Sequence, residues 1–464
     1  MNLNAEPLAN GHSRQGEAIH YKPLWDERLE LARKGGEGAV AVFVCHGMGQ
    51  QVRYETISSV AEALLTEARE QGATPSPLEV TLSEANDDFL PRAEVRWEND
   101  GRKHEVHIYE AYWAPLTEGK VTYWDTIKFL LRAGYRGLKH SLPWRRSFDR
   151  WMFGEPKVMK IGPFTFIGLL MVLVALLLQI AIIAIVSLTL AQQWKVALAQ
   201  PFPSLGGNIF EWFRSCCVWL VGFIPGFNSV ELENWPFVAR NVVIWCLFTL
   251  EAFAVKYFVI QFVGDVAAYV SPYKDSKFDE LRHQIRKIGL NVGRVIYGFE
   301  PRVSQAPKYE RVVIVGHSLG SVLAYDTLNS LINTDQVCAV NQRRDVLGRT
   351  RALITFGSPL DKTAFMFRLQ AREEQQWIRE QLAAAVQPLI VDYEYRRRLS
   401  WINLWSPMDI ISGALDYYDD PDRQSTGPEC VRNTIDWGAW VPLYAHVQYW
   451  RSKRLRKHLY QYVS

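Results

Sequence analysis

A strand-like run that ends on a glycine-flanked serine constrains this chain more than any other feature. Arg311–Val315 (RVVIV) is continuous, apolar and rich in β-branched residues, the pattern of a strand buried on both faces of a parallel sheet. It runs without a spacer into Gly316-His317-Ser318-Leu319-Gly320, and the helix-compatible stretch Ser321–Leu331 follows. The five-residue pattern alone is common by chance. Between a strand and a helix it demands a sharp turn, in which the serine adopts a strained backbone and a side chain at either glycine would clash.

A second run of the same kind lies far upstream. Ala39–Cys45 (AVAVFVC) is bounded by glycine on both sides and leads into His46-Gly47-Met48-Gly49. Further strands are expected at Ala352–Phe356 and Trp401–Trp405, with helices over Thr56–Gln71 and Lys277–Tyr297. Asn99-Asp100-Gly101 marks a hairpin between Glu94–Trp97 and Glu105–Tyr109. Alternating strands and helices imply a mostly parallel sheet covered on both faces. The expected class is α/β, of the α/β-hydrolase type, in which such a turn presents a nucleophilic serine.

A serine hydroxyl is a poor nucleophile at neutral pH and needs a base, which in turn needs an orienting acid. In this fold type the chain order is Ser, then Asp or Glu, then His. Only His446 and His458 follow Ser318. His458 sits in a basic, helix-like tail, so elimination leaves His446, in a loop-like stretch just after Pro442, as the base. For the acid, Asp409 follows Trp401–Trp405 by the short loop Ser406-Pro407-Met408, with Asp416 and Asp392 in reserve. The oxyanion hole calls for two backbone N–H groups, expected from Leu319 and Met48. Gly47 lets the backbone turn, and His46 is read as orienting that loop. Gly316, His317 and Gly320 complete the supporting motif.

Between the two halves the composition changes abruptly. Ile161–Trp194 contains no charged residue, which is long enough to cross a bilayer. Phe237–Val263 is a second apolar run, although Arg240, Glu251 and Lys256 interrupt it. Cys216–Phe227 is short and broken by Pro225, which suits an interfacial or re-entrant segment. His46 and Ser318 must meet in one site, so the apolar runs form an insertion and the number of crossings is even. The expected division is a tail (1–38), a first hydrolase part (39–150), a membrane insertion (151–265, with spans at about 161–190 and 237–263) and a second hydrolase part (266–464). Arg145, Arg146, Arg150, Lys157 and Lys160 precede the first span, so the positive-inside rule places the site on the cytoplasmic face of an integral membrane protein. The lipid bilayer is then a partner. The first forty residues have no apolar h-region, so no cleavable signal peptide is expected.

Composition excludes several other functions. A net charge of +3 over 464 residues gives no reason to expect nucleic acid. The six cysteines show no CxxC or zinc spacing, and the histidines form no HExxH, so neither a metal nor another cofactor is expected. The cysteines are read as reduced thiols.

Four segments, FVCHGMGQQ (Phe43–Gln51), GDVAAYVSP (Gly264–Pro272), VVIVGHSLGSVLAYD (Val312–Asp326) and AHVQYW (Ala445–Trp450), carry a further signal. On these the chain distantly resembles the DDHD-type intracellular phospholipases A1, with Ser318 at the family's nucleophile and His446 at its SHxxYW-like histidine. The resemblance implies hydrolysis of ester bonds in lipids. The sequence thus points to a membrane-anchored serine hydrolase acting on lipid or acyl esters through a Ser318–His446–Asp409 triad. A thioesterase or esterase on acylated proteins or small esters would use the same triad, and a third reading is an inactive membrane adaptor.

Overall fold

The structure, a computed structural model, describes residues 38–47, 52–117, 276–299, 309–363, 386–415 and 431–464, with Tyr418, apart from isolated positions inside these ranges. Among the described residues nine strands form one mixed sheet. Its centre is parallel. β1 (Val40–Cys45) lies between β5 (Arg102–Ala111) and β6 (Arg311–His317), and β7 (Thr350–Phe356), β8 (Ser400–Trp405) and β9 (Val431–Ile435) follow in order. β2 (Thr74–Pro75), β3 (Glu79–Ala85) and β4 (Asp88–Asn99) extend it on the β5 side with antiparallel pairings. Asn99 pairs with Arg102, so β4 and β5 form a hairpin joined by two residues, and Gly101 supplies the positive φ (72°) that the turn uses.

The central strands read as unbroken apolar runs because both of their faces are covered. On one face Ala41, Phe43, Val312, Ile314, Leu353 and Trp401 pack under α2 (Ser276–Tyr297) and α3 (Leu319–Val337). On the other, Val42, Val44, Val313, Val315, Ile354 and Ile402 pack under α1 (Glu55–Glu70) and α5 (Lys453–Val463). β1 and β6 are paired directly, Cys45 opposite Gly316. Chain segments more than 250 residues apart therefore end side by side at the carboxyl edge of the sheet.

Two expectations are corrected here. Among the described residues no helix is long and apolar enough to cross a membrane. The two longest helices, α2 (22 residues) and α3 (19 residues), turn their apolar faces onto the sheet, and α2 carries Lys277, Asp279, Glu280, Arg282, Lys287 and Arg294. The described residues therefore do not favour an integral membrane protein with an inserted transmembrane region and a cytoplasmic catalytic face. The tail (1–38, save its last residue) and the apolar runs Ile161–Leu190, Cys216–Phe227 and Phe237–Val263 lie outside the described residues. The fold is α/β and its sheet is mixed: the pairings from β5 through β1 and β6 to β9 are parallel, and the β2–β5 end is antiparallel throughout. These pairings establish an α/β architecture and do not establish the α/β-hydrolase fold.

Candidate active site

Ser318 stands between the end of β6 and the first residue of α3. Its backbone, at φ 53° and ψ −131°, is in a region that side chains other than glycine rarely occupy. Its neighbours hold it there: Ser318 N–H donates to Phe356 O at 3.0 Å, and Ser318 O accepts from the N–H of Ser321 at 2.9 Å and from its hydroxyl at 2.5 Å. The flanking glycines are steric requirements. A Cβ on Gly316 would come within 2.5 Å of Ser321 Cα, and one on Gly320 within 2.2 Å of the carbonyl oxygens of both Cys45 and His46. The α3 helix thus begins in contact with the end of β1.

The other two sequence-predicted residues converge on this serine. His446 lies in the short helix α4 (Ala445–Gln448), with Nε2 2.7 Å from Ser318 Oγ and Nδ1 2.9 Å from Asp409 Oδ2. Asp409 follows β8 by a turn closed by its own N–H on Ser406 O. All three side chains are nearly inaccessible to solvent. Burial alone would raise the Asp409 carboxyl. The adjacent His446, the N–H of Ile411 on Oδ1 (2.9 Å) and the charge of Lys362 instead hold it well below the usual carboxylate range. Asp409 is therefore an anion facing Nδ1, which fixes the His446 tautomer with Nδ1–H toward the acid and the Nε2 lone pair toward the Ser318 hydroxyl. Asp416 and Asp392, the reserve acids, lie outside the described residues.

Sequence reasoning missed Tyr449. Its hydroxyl donates to Asp409 Oδ2 at 3.0 Å and is itself 3.0 Å from Ser412 Oγ. Burial, and then the charge of Asp409, push this phenol well above its ordinary value, so it remains a donor. The signal that could have found it is spacing, because a residue three positions after His446 lies on the same side of a helical turn.

The two remaining histidines of the motifs orient backbone. His46 Nδ1 is 2.7 Å from Gly47 O and Nε2 accepts the N–H of Trp113 at 3.0 Å, while the ring stacks on that tryptophan at 4.9 Å. Its burial lowers it to about 4, so it is neutral, and both ring nitrogens are engaged. His317 donates Nε2–H to the carbonyl of His446 at 2.9 Å and stacks on Phe356. Burial lowers it to about 3. The strand residue before Ser318 thus grips the backbone of His446. Gly47 passes directly over the site, since a Cβ there would lie 2.8 Å from both Ser318 Cβ and His317 Nδ1. The N–H of Leu319, at the start of α3, is one of the groups a helix N-terminus leaves without an intrahelical acceptor. Met48 lies outside the described residues. His458 is on α5 and does not join the site; burial lowers it to about 4.

One cluster of metal-ligand type is present among the described residues, at Glu94, Glu105 and His107 on β4 and β5. Arg96 bonds both carboxylates (2.6 Å to Glu94, 2.9 Å to Glu105), Arg92 pairs with Glu94 and Tyr309 OH lies 2.7 Å from His107 Nδ1. These arginines already supply the cations that the acids need. No protein-family model, curated protein or solved structure matches this chain.

Proposed function

We propose that this chain is a serine hydrolase that cleaves carboxylic esters through an acyl-enzyme on Ser318. One observation carries the reading: a continuous relay from Ser318 Oγ through the His446 ring to an ionised Asp409 (2.7 and 2.9 Å), built on a strained strand-to-helix turn. A serine needs that company only if it is to act as a nucleophile.

In this reading Ser318 Oγ attacks the ester carbonyl carbon as its proton passes to His446 Nε2. The imidazolium so formed is stabilised by Asp409. The tetrahedral oxyanion is met by the N–H of Leu319, and removing one such donor typically costs about 10²–10³ in rate. Collapse expels the alcohol, which leaves with the proton from Nε2. A water molecule then repeats the sequence, His446 taking its proton, and releases the carboxylic acid.

The resemblance to DDHD-type phospholipases favours a lipid ester as substrate. The test is turnover on a panel of phospholipid, monoacylglycerol, short aryl ester and acyl thioester, with Ser318→Ala as control. Hydrolysis of at least one oxygen ester, lost in Ser318→Ala, is expected. Turnover that persists in Ser318→Ala, or none by the wild type on any ester, overturns the proposal. Activity confined to the thioester would replace it with a thioesterase.

A further inference from the structure

We propose that Lys362 is a positioning residue for this triad, its side chain clamping the loop that holds Asp409 against His446. The inference rests on the hydrolase reading above. Lys362 lies in the helical turn at residues 360–363, after β7, the strand between that of Ser318 and that of Asp409. Its Nζ donates to Ile411 O and to Ser412 O, each at 2.8 Å.

Those two residues are the ones that aim Asp409. Ile411 gives its carbonyl to Lys362 and its N–H to Asp409 Oδ1 at 2.9 Å. Ser412 gives its carbonyl to Lys362 and its hydroxyl to Tyr449, whose phenol donates to Asp409 Oδ2. One ammonium therefore anchors both arms of the cradle, while His446 Nδ1 shares Oδ2 with Tyr449. A lysine is a costly choice for tying two loop carbonyls, because its charge must leave water. Here Asp409 and Asp361 face that charge. Burial lowers the ammonium to about 8 and the two carboxylates oppose the fall, so at neutral pH it is charged. A neutral donor would hold the carbonyls but leave the Asp409 anion without its nearby cation.

The test replaces Lys362 by methionine, which keeps the apolar stem and removes donors and charge. Three quantities are read on the full chain: kcat and KM on the best ester of the panel, the rate of fluorophosphonate labelling, and the far-downfield proton resonance of His446 Nδ1–H. We expect kcat and the labelling rate to fall by about 10- to 100-fold, the loss typical of a catalytic group displaced by up to about 1 Å. KM should stay near the wild-type value, and the resonance should move or broaden beyond detection. Unchanged kcat and an unchanged resonance, with lowered thermal stability alone, overturn the clamp. The resonance needs no turnover, so the two failures separate: an inactive wild type overturns the hydrolase reading, and a resonance unmoved by the substitution overturns the role of Lys362. If the methionine variant does not fold, Lys362→Gln, whose shorter side chain keeps a donor without the charge, is read by the same resonance: a moved resonance is expected, and an unmoved one overturns the role of the Lys362 ammonium.

Discussion

Gly320→Ala should disable the site while leaving every polar group in place. The methyl would lie 2.2 Å from both the Cys45 and the His46 carbonyl oxygens and 2.6 Å from the Cys45 carbonyl carbon. Ordinary contacts of a Cβ begin near 3.4 Å, so α3 and the end of β1 must part by about 1 Å. Neither side gives easily. Cys45 is in register with Gly316 and Ala111, and His46 is held by the N–H and the indole of Trp113. Overpacking of this kind costs about 1–3 kcal/mol, offset by up to about 1 kcal/mol from the better helix propensity of alanine. The net loss of stability is modest, at about 0–3 kcal/mol. The functional loss should be larger, because the His46–Gly47 loop that overlies Ser318 moves with β1 and a displacement of about 1 Å costs about 100-fold. The assay is the second-order rate of fluorophosphonate labelling, measured beside denaturant unfolding. A variant that labels at the wild-type rate would refute the steric reasoning, whatever its stability.

Tyr449→Phe removes one of the donors on Asp409 and should lower stability by about 1.5–3 kcal/mol, the worth of a hydrogen bond to a charged group, with a fall in kcat rather than a rise in KM; steady-state kinetics and urea unfolding check both. Acid should destabilise the fold above the ordinary carboxylate range, three buried histidines outweighing Glu110, which acts the other way because burial raises its carboxyl to about 7. His46, His317 and His458 are held neutral by burial at about 4, 3 and 4, so below about 6.5 the unfolded chain binds protons that the folded chain refuses. Their contribution is fully present above about 6.5 and is lost as pH falls toward 4, each adding up to about 1.4 kcal/mol per pH unit. Urea unfolding at pH 7, 6 and 5 should show falling stability, and a flat profile would contradict it.

The parts of the fold legible in the sequence are those whose burial leaves a periodic mark. β1, β6, β7 and β8 are apolar on both faces, and α1 and α2 repeat apolar residues at helical spacing, so each stood out within a residue or two of its observed bounds. The antiparallel end was seen only in part. β3 (EVTLSEA) alternates around two glutamates, and β9 (VRNTI) is short and polar, so neither resembles a buried strand. The triad residues could be named because order along the chain and a shortage of histidines left few choices. Tyr449 and Lys362 could not, since their roles depend on which loops meet across the sheet edge. The membrane reading rested on the charge-free run Ile161–Trp194, the less apolar run Phe237–Val263 and the basic residues before the first. The runs themselves lie outside the described residues.

The most direct measurement is the site of covalent modification. The full-length protein is treated with a fluorophosphonate, digested, and its peptides mapped by mass spectrometry. A single phosphonyl adduct on Ser318, suppressed in Asp409→Asn and absent in His446→Ala, is the expected result. An unmodified Ser318, or an adduct formed equally fast without His446, would contradict the claim that these three residues act as one nucleophilic unit.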